Sequence, residues 1–417
     1  MQLELWIYPV TEVRWGDSTR LEDGTLVIER EALARHLLED RRLAEVELAL
    51  AQPGERCRIA PVFDVVEPRA KLDGGVDFPG VLGPITSAGQ GQTAVLRGAA
   101  VVVLDPEGNP RSQNTVLDLS GPAAQLTRYA ATQNVVVIPR LAPGLDRLGQ
   151  LAALRHASLR AAVYLARTAA AGAPAAREVY TLTPPTAPGL PRVAYVYQLL
   201  SHQYPTQPGE PVLYGDNVRH LLPTILHPNE VLDGAVVRNY RAFGMETYSI
   251  QNHPVITELY RRHGQTLDFA GVVVTVAHNT LEERERAVTL AANLVVHTLH
   301  ADGAVLTKSG GGAPHVDMAQ VAQRLERLGV RTVLLAWDAS SAGAGDEGAA
   351  LFNYPELDAI VNYGSNGFTF ALPAVERTLV GRPDLAAALA GPLEVEVLSI
   401  CGAMDQLGAG RLTAVTY

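Results

Sequence analysis

The chain has 417 residues, 47% of them hydrophobic and 19% charged, an ordinary globular composition with room for two or three domains that each bury a core. A formal net charge of −10 with no Lys/Arg run argues against nucleic-acid or anionic-membrane partners. Two cysteines, Cys57 and Cys401, exclude a disulfide framework and a zinc ribbon. No apolar stretch reaches the ~18 residues of a membrane span, and the N-terminus is too short and too acidic for a signal peptide, so a cytoplasmic location is expected.

The first 70 residues alternate in hydrophobicity at residues 3–7, 25–28 and 46–50, with a helical pattern over residues 30–40 carrying Leu33, Leu37 and Leu38. Gly and Pro punctuate residues 53–91 as tight turns. Residues 99–104 and 135–138 are further strand candidates, and an Ala-rich helix is predicted over residues 148–171, stopped by Gly172 and Pro174. Residues 183–191 hold four prolines, which suit neither a helix nor a ladder, and form the predicted linker.

Beyond it the pattern changes. Continuous apolar runs at 193–197, 270–276, 303–306, 332–337 and 359–361 are separated by helical stretches at 255–263, 281–299 and 318–328. Such runs indicate a parallel sheet covered on both faces. Residues 393–400 alternate again, as an edge or capping strand. The expected fold class is therefore α/β: an N-terminal α+β or β-rich region over residues 1–182, the Pro-rich linker 183–191, and a parallel-sheet, Rossmann-like region over residues 192–417.

Ligands of open parallel sheets bind outside the carboxyl ends of the strands, which directs attention to the residues after each run. These are His278 and Asn279, then Lys308 to Asp317, then Asp338, Ser340 and Ser341, and finally Asn362 to Gly367. The triple glycine Gly310, Gly311, Gly312 is the strongest local pattern. Glycines let backbone N–H groups approach an anion, and the next helix offers its positive end. His315 would serve there as donor or acid; Asp317 is either part of the site or a plain N-cap. Gly343 to Gly348 match GxGxxG but lie several residues past their strand, which counts against a dinucleotide site. His297 and His300, at i and i+3, lack a ligand set and read as interfacial or core. Walker, HExxH and GxSxG motifs are absent.

Several segments carry a family resemblance. They are residues 59–71 (with Asp64, Glu67, Arg69 and Lys71), 78–83, 95–100, 117–122, 223–236 (with Glu230, Asp233 and Gly234) and 402–417 (with Asp405 and Arg411). In this order over the whole chain they resemble the glycine/sarcosine/betaine reductase component B precursor, a relative of the D-proline reductase precursor. The resemblance implies a chain that breaks at a mid-chain Asn-Cys bond, leaving a catalytic pyruvoyl group that forms a Schiff base with a small amine acid. It also implies a partner subunit whose selenocysteine or cysteine attacks the α-carbon in a reductive C–N cleavage.

The corresponding segment here, residues 238–246, is shorter than the resemblance implies and holds neither Cys nor Ser. Tyr240 follows Asn239 where Cys would stand, and a phenol can neither accept an acyl group there nor leave by elimination. Ser249 is the nearest competent hydroxyl, and reads as an ordinary strand-end residue.

The expected function is an uncleaved subunit of a component B-like oxidoreductase, without pyruvoyl or metal, whose nucleophile sits on a partner subunit. Substrate activation would then fall to charge and hydrogen bonds. His278, Lys308, His315 and Asp317 are the candidate catalytic residues; Gly310, Gly311, Gly312, Asn239, Tyr240 and Asn362 would bind substrate. The alternatives are a non-catalytic scaffold or small-molecule-binding subunit and, resting only on Gly343 to Gly348, a dinucleotide-dependent dehydrogenase. Neither cysteine lies near these residues in sequence, and Cys57 reads as a half-buried strand residue.

Overall fold

A computed structural model describes residues 1–185, 188–201, 209–240, 245–338, 354–365 and 368–407. The continuous apolar runs of the second half become a parallel sheet. Its strands, in chain order, are Arg192–Ser201, Asp268–Ala277, Gly303–Thr307, Arg331–Asp338 and Ile360–Ser365. In space the second lies outside the first, and the third, fourth and fifth follow on its other side; the short strand Thr224–Leu226 adds antiparallel to the second.

Both faces of this sheet are covered, which is why its strands do not alternate. On one face Ala194, Val196 and Val273 pack against the helices Leu281–Asn293 and Ala313–Arg327 through Val288, Ala291, Met318 and Leu325. On the other, Tyr195, Tyr197, Val272 and Val274 meet Val255, Ile256 and Leu259 of the helix Pro254–Arg262, together with Leu3, Leu5 and Ile7 of the first strand of the chain. This 2-1-3-4-5 order is a doubly wound α/β arrangement. Its switch point lies between the first and third strands, where crossovers leave in opposite directions and open a crevice at the strands' carboxyl ends.

The N-terminal region is strand-rich, as the alternation implied. One sheet orders Ala176–Thr181, Gln2–Pro9, Gly91–Arg97 and Arg69–Asp73; another orders Leu43–Ala51, Gln133–Leu141, Ala99–Leu104 and Val62–Val66. The Ala-rich helix Arg147–Ala166 buries Ala153, Ala157, Ala161 and Ala162 in the core these sheets share. The strand Arg377–Val380 returns from late in the chain to pair in parallel with Cys57–Ala60.

Several expectations change in detail. The Ala-rich helix gives way to a 3-10 turn at Arg167–Ala171, and the helix begun at Leu281 passes into a π-helical turn at Leu294–Thr298. His297 and His300 on that stretch are exposed, so they are not core residues.

The helix expected from residue 318 begins at Ala313. Gly312 precedes it with a φ of 71°, a conformation that suits glycine, and Pro314 sits in the first turn, where a missing N–H costs nothing. Only Leu393–Glu396 of the late alternating stretch is a strand, pairing with Thr369–Leu372. Val397–Ser399 then turn, and Ile400, Cys401 and Leu407 run into the interior with 0% exposure. Cys57 is fully buried, not half-buried. Gly343 to Gly348, Ser340, Ser341, Asn366, Gly367 and residues 408–417 lie outside the described residues.

Candidate functional site at the sheet switch point

The third strand ends at Thr307, and the residues that follow enter the switch-point crevice. Lys308 is 1% exposed. Its Nζ donates to the Gly310 carbonyl at 2.8 Å and lies 4.5 Å from the centre of the Trp337 ring, a cation–π contact at the end of the next strand. The loop is held from two sides: Gln198, on the first strand, accepts the Ser309 N–H at 2.9 Å, and Gln406 accepts the Gly310 N–H. Below them Tyr195 shares its hydroxyl with Thr307 at 2.5 Å and with His253 at 3.2 Å. The backbone is thus fixed on sheet residues and on the late segment 400–407.

His315 lies 2% exposed in the first turn of the following helix. Burial foremost, then the Lys308 charge, pushes its imidazole down to about 3, against a hydrogen bond to the Trp337 backbone. At neutral pH the ring is neutral: it can donate a hydrogen bond but is not a cationic acid. The Trp337 indole N–H is buried with no acceptor among the described residues.

Asp317 is turned to a different task. It accepts from Arg284 Nε at 2.7 Å, across to the neighbouring helix, and Arg284 also reaches the Ala313 carbonyl at 3.3 Å. The pair ties the glycine loop's helix to its neighbour. Burial raises the Asp317 carboxyl to about 6 in spite of Arg284. His278, just past the second strand, hydrogen-bonds the Leu221 backbone, with Glu283 and Arg286 as its charged neighbours; burial lowers its pKa. Asn362 is exposed on the outermost strand. Lys308, Gly310 and His315 therefore lie together past the end of the third strand, whereas Asp317 and His278 have other near neighbours.

Asn239 and Tyr240 belong to a second buried cluster. Asp64, 0% exposed, accepts the Thr247 N–H at 3.0 Å and its hydroxyl at 2.7 Å. Arg155, equally buried, pairs with Asp64 and donates to the Arg238 carbonyl. The Tyr240 N–H donates to Glu210 at 2.5 Å, and the Tyr240 ring lies 6.1 Å from that of Phe63. Glu246 accepts from Asn114 and, at 2.6 Å, from the Tyr129 hydroxyl, which also meets Ser249 Oγ at 2.9 Å.

Ser249 is a fully enclosed residue of the helix Thr247–Gln251, not a strand end. Cys401 belongs to this cluster too, with Glu246, Arg238 and Asp64 as its charged neighbours, and burial drives its thiol pKa well up. The segment 400–407 links the two clusters: Gly402 donates to Asn114 at 2.9 Å, Asp405 neighbours Glu246 and Ser249, and Gln406 holds the glycine loop.

Sequence reasoning overlooked Asp64, Arg155, Tyr129 and Glu246 as site residues. Two signals were legible. Asp64 interrupts the wholly apolar strand Val62–Val66, and Arg155 interrupts an Ala/Leu helix. A charge on a face that must be buried, as Asp64 is in its strand, needs a buried partner. Other residues in or beside the resembling segments form similar pairs: Arg58 with Asp118, Arg69 with Glu67, and Lys71 with Asp233.

The fold and these clusters define a mixed α/β protein with a buried polar cluster at its sheet switch point and a buried charge network around Arg238 and Thr247. Comparison with known proteins is more specific. The chain belongs to the family of glycine/sarcosine/betaine reductase component B subunits, whose model matches residues 1–406. It is 32% identical to the glycine reductase complex component B subunits alpha and beta of Acetoanaerobium sticklandii, and 31% identical to the sarcosine reductase complex component B subunit alpha of Peptoclostridium acidaminophilum, over the full length of each. It is 32% identical to the betaine reductase complex component B subunit alpha of P. acidaminophilum, over 80% of this chain and 77% of that one. No solved structure matches. No helix among the described residues is long and apolar enough to cross a membrane, and none of those residues form a metal-binding group.

Proposed function

We propose that this chain is an uncleaved, cytoplasmic component B-type subunit of an oxidoreductase complex that reductively cleaves the C–N bond of a small amine acid. In this reading a partner subunit carries the attacking thiol or selenol. Its thiolate or selenolate bonds to the α-carbon as the C–N bond breaks, and the amine departs with the bonding electron pair. One observation carries the proposal: family similarity over residues 1–406 combined with Tyr240 after Asn239.

The residues around Tyr240 do not fit a pyruvoyl group. Its phenol is pushed up to about 12 by burial, so it is a neutral hydroxyl at the far end of an aromatic ring. Ser249 is enclosed in a helix and engaged by Tyr129. Cys401 is preceded by Ile400, not Asn.

Substrate handling is assigned instead to fixed charge and donors. Lys308 supplies a cation, neutral His315 and the Trp337 N–H supply donors, and Gly310, Gly311 and Gly312 supply backbone approach, with Asn239, Tyr240 and Asn362 as further candidate contacts. Donors held by the fold need little reorganisation as charge develops.

The test is the denatured intact mass, with and without a carbonyl-trapping hydrazine. One species near 44.6 kDa with no adduct is expected. Two fragments, one bearing an adduct, would overturn the uncleaved reading. The near-complete burial of Lys308 and His315 also favours a second reading, a scaffold subunit that binds the partner without acting on substrate. Unchanged partner turnover on addition of this chain would select it.

A further inference from the structure

We propose that Arg238 is the carboxylate-binding residue of a cleft of about 640 Å³ whose walls include Phe63, Tyr240, Arg111 and Arg147. Arg238 is only 6% exposed, and its Nε and Nη1 are buried with no hydrogen-bond partner among the described residues. A buried guanidinium without an acceptor is costly, so its retention calls for a compensating group that the fold itself omits.

The buried acids nearby accept other hydrogen bonds, and Glu396 on the cleft wall is exposed. Asp64 is taken by Arg155 and Thr247, Glu246 by Asn114 and Tyr129, Glu210 by the Tyr240 N–H, and Asp105, on the cleft wall, by Arg147. What Arg238 does have is the Phe63 ring, 5.4 Å from its guanidinium carbon, with the Arg155 guanidinium 5.3 Å from the same ring. Of these two cations Arg155 is the one paired with Asp64, while Glu246, held by the neutral donors Asn114 and Tyr129, is a further carboxylate of the cluster. Arg238 therefore brings to the cleft wall a buried cation with two N–H groups that lack an acceptor among the described residues, and Arg111 adds a cation at its exposed edge, with Glu396 also on the wall.

A planar guanidinium with free N–H groups matches a carboxylate's two oxygens in bidentate fashion. The class of ligand is a small carboxylate whose remainder lies against Phe63 and Tyr240. This anion site belongs to the cluster around Tyr240, not to the Lys308 loop, and does not rest on the reading proposed above.

The test titrates acetate into the purified full-length chain by calorimetry, with trimethylamine and inorganic phosphate as comparison probes. Acetate is expected to bind saturably, and Arg238→Gln to weaken it at least about tenfold, the loss of a charge-assisted bidentate contact. Arg238→Lys, which keeps the charge but not the fork, is expected to fall between. Arg238→Met is expected to raise Tm while abolishing acetate binding, because it removes an unpaired buried charge; an arginine with a structural role would lower Tm.

Equal acetate affinity in the wild type and Arg238→Gln overturns the proposal. So does phosphate binding that acetate cannot displace, or a fall in Tm for Arg238→Met without loss of acetate binding. Arg238-dependent acetate binding by a chain that supports no turnover with a partner would retain this site and reject the reductase reading.

Discussion

Asp64 and Arg155, both without solvent exposure, hold the two ends of the stretch from Arg238 to Thr247. Arg155 donates to the Arg238 carbonyl, while Asp64 accepts from both the backbone and side chain of Thr247. The pair belongs to elements distant in sequence, the strand Val62–Val66 and the helix Arg147–Ala166. It therefore makes the placement of Arg238 and Thr247 a consequence of N-terminal packing.

Breaking that pair on one side leaves a buried charge uncompensated. Asp64→Asn and Arg155→Met are each expected to lose about 3–5 kcal/mol of stability, and the double variant Asp64→Leu/Arg155→Met to lose less than the sum. Urea unfolding followed by circular dichroism measures all three. Additive losses would mean the two residues act independently.

The crevice makes a kinetic prediction. Lys308→Met keeps the packing against Trp337 but removes the cation, and should reduce turnover of the reconstituted complex by on the order of 10²-fold or more with little change in urea midpoint. His315→Asn should show a smaller loss, with no new pH dependence between 6 and 8, since the imidazole stays neutral there. Unaltered turnover in both variants would remove this loop from the reaction.

Acid stability should depend on His253. Its ring is fully enclosed, and burial lowers its pKa to about 3. A histidine depressed in the folded state takes up its proton more readily when unfolded, so its contribution is intact above the unfolded pKa near 6.5 and is lost as pH falls toward the folded value. The expected slope is about 1.4 kcal/mol per pH unit below pH 6.5. His253→Gln, which can still meet the Tyr195 hydroxyl, should flatten the fall between pH 6.5 and 5 in a series of denaturation curves.

Both thiols should be inert in the native state. Burial raises Cys57 to about 11 and Cys401 well above the usual range. With a chromogenic disulfide at pH 8, neither is expected to react within minutes, and both should react once denaturant is added. Fast reaction of one native thiol would point to an opening of the segment that carries it.

Gly402 tests the link between the clusters. It has a φ of 76°, and an added Cβ would stand 2.5 Å from the Tyr129 ring. Gly402→Ala should cost on the order of 2 kcal/mol or more and disturb the Tyr129–Glu246 hydrogen bond, shifting the tyrosine signal in near-ultraviolet absorbance.

The sequence alone determined the periodic parts of this protein. Continuous apolar runs foretold the covered parallel sheet, because burial on both faces removes any need for alternation. Strand ends pointed to Lys308, Gly310 and His315, because the crevice of a doubly wound sheet opens at those ends. Spaced motifs foretold family membership.

Tertiary structure decided which polar groups meet. Asp317 reads as a site residue at a helix start, yet Arg284 from the neighbouring helix claims it. Cys401 reads as remote, yet it packs beside Glu246 and Arg238, because residues 400–407 are drawn into the interior between the two clusters. Periodicity is a local property that a few neighbouring residues impose on the backbone. The partner of a buried charge such as Asp317, Asp64 or Lys71 is chosen by chain topology across 33, 91 or 162 residues, and nothing in the local pattern of either residue names the other.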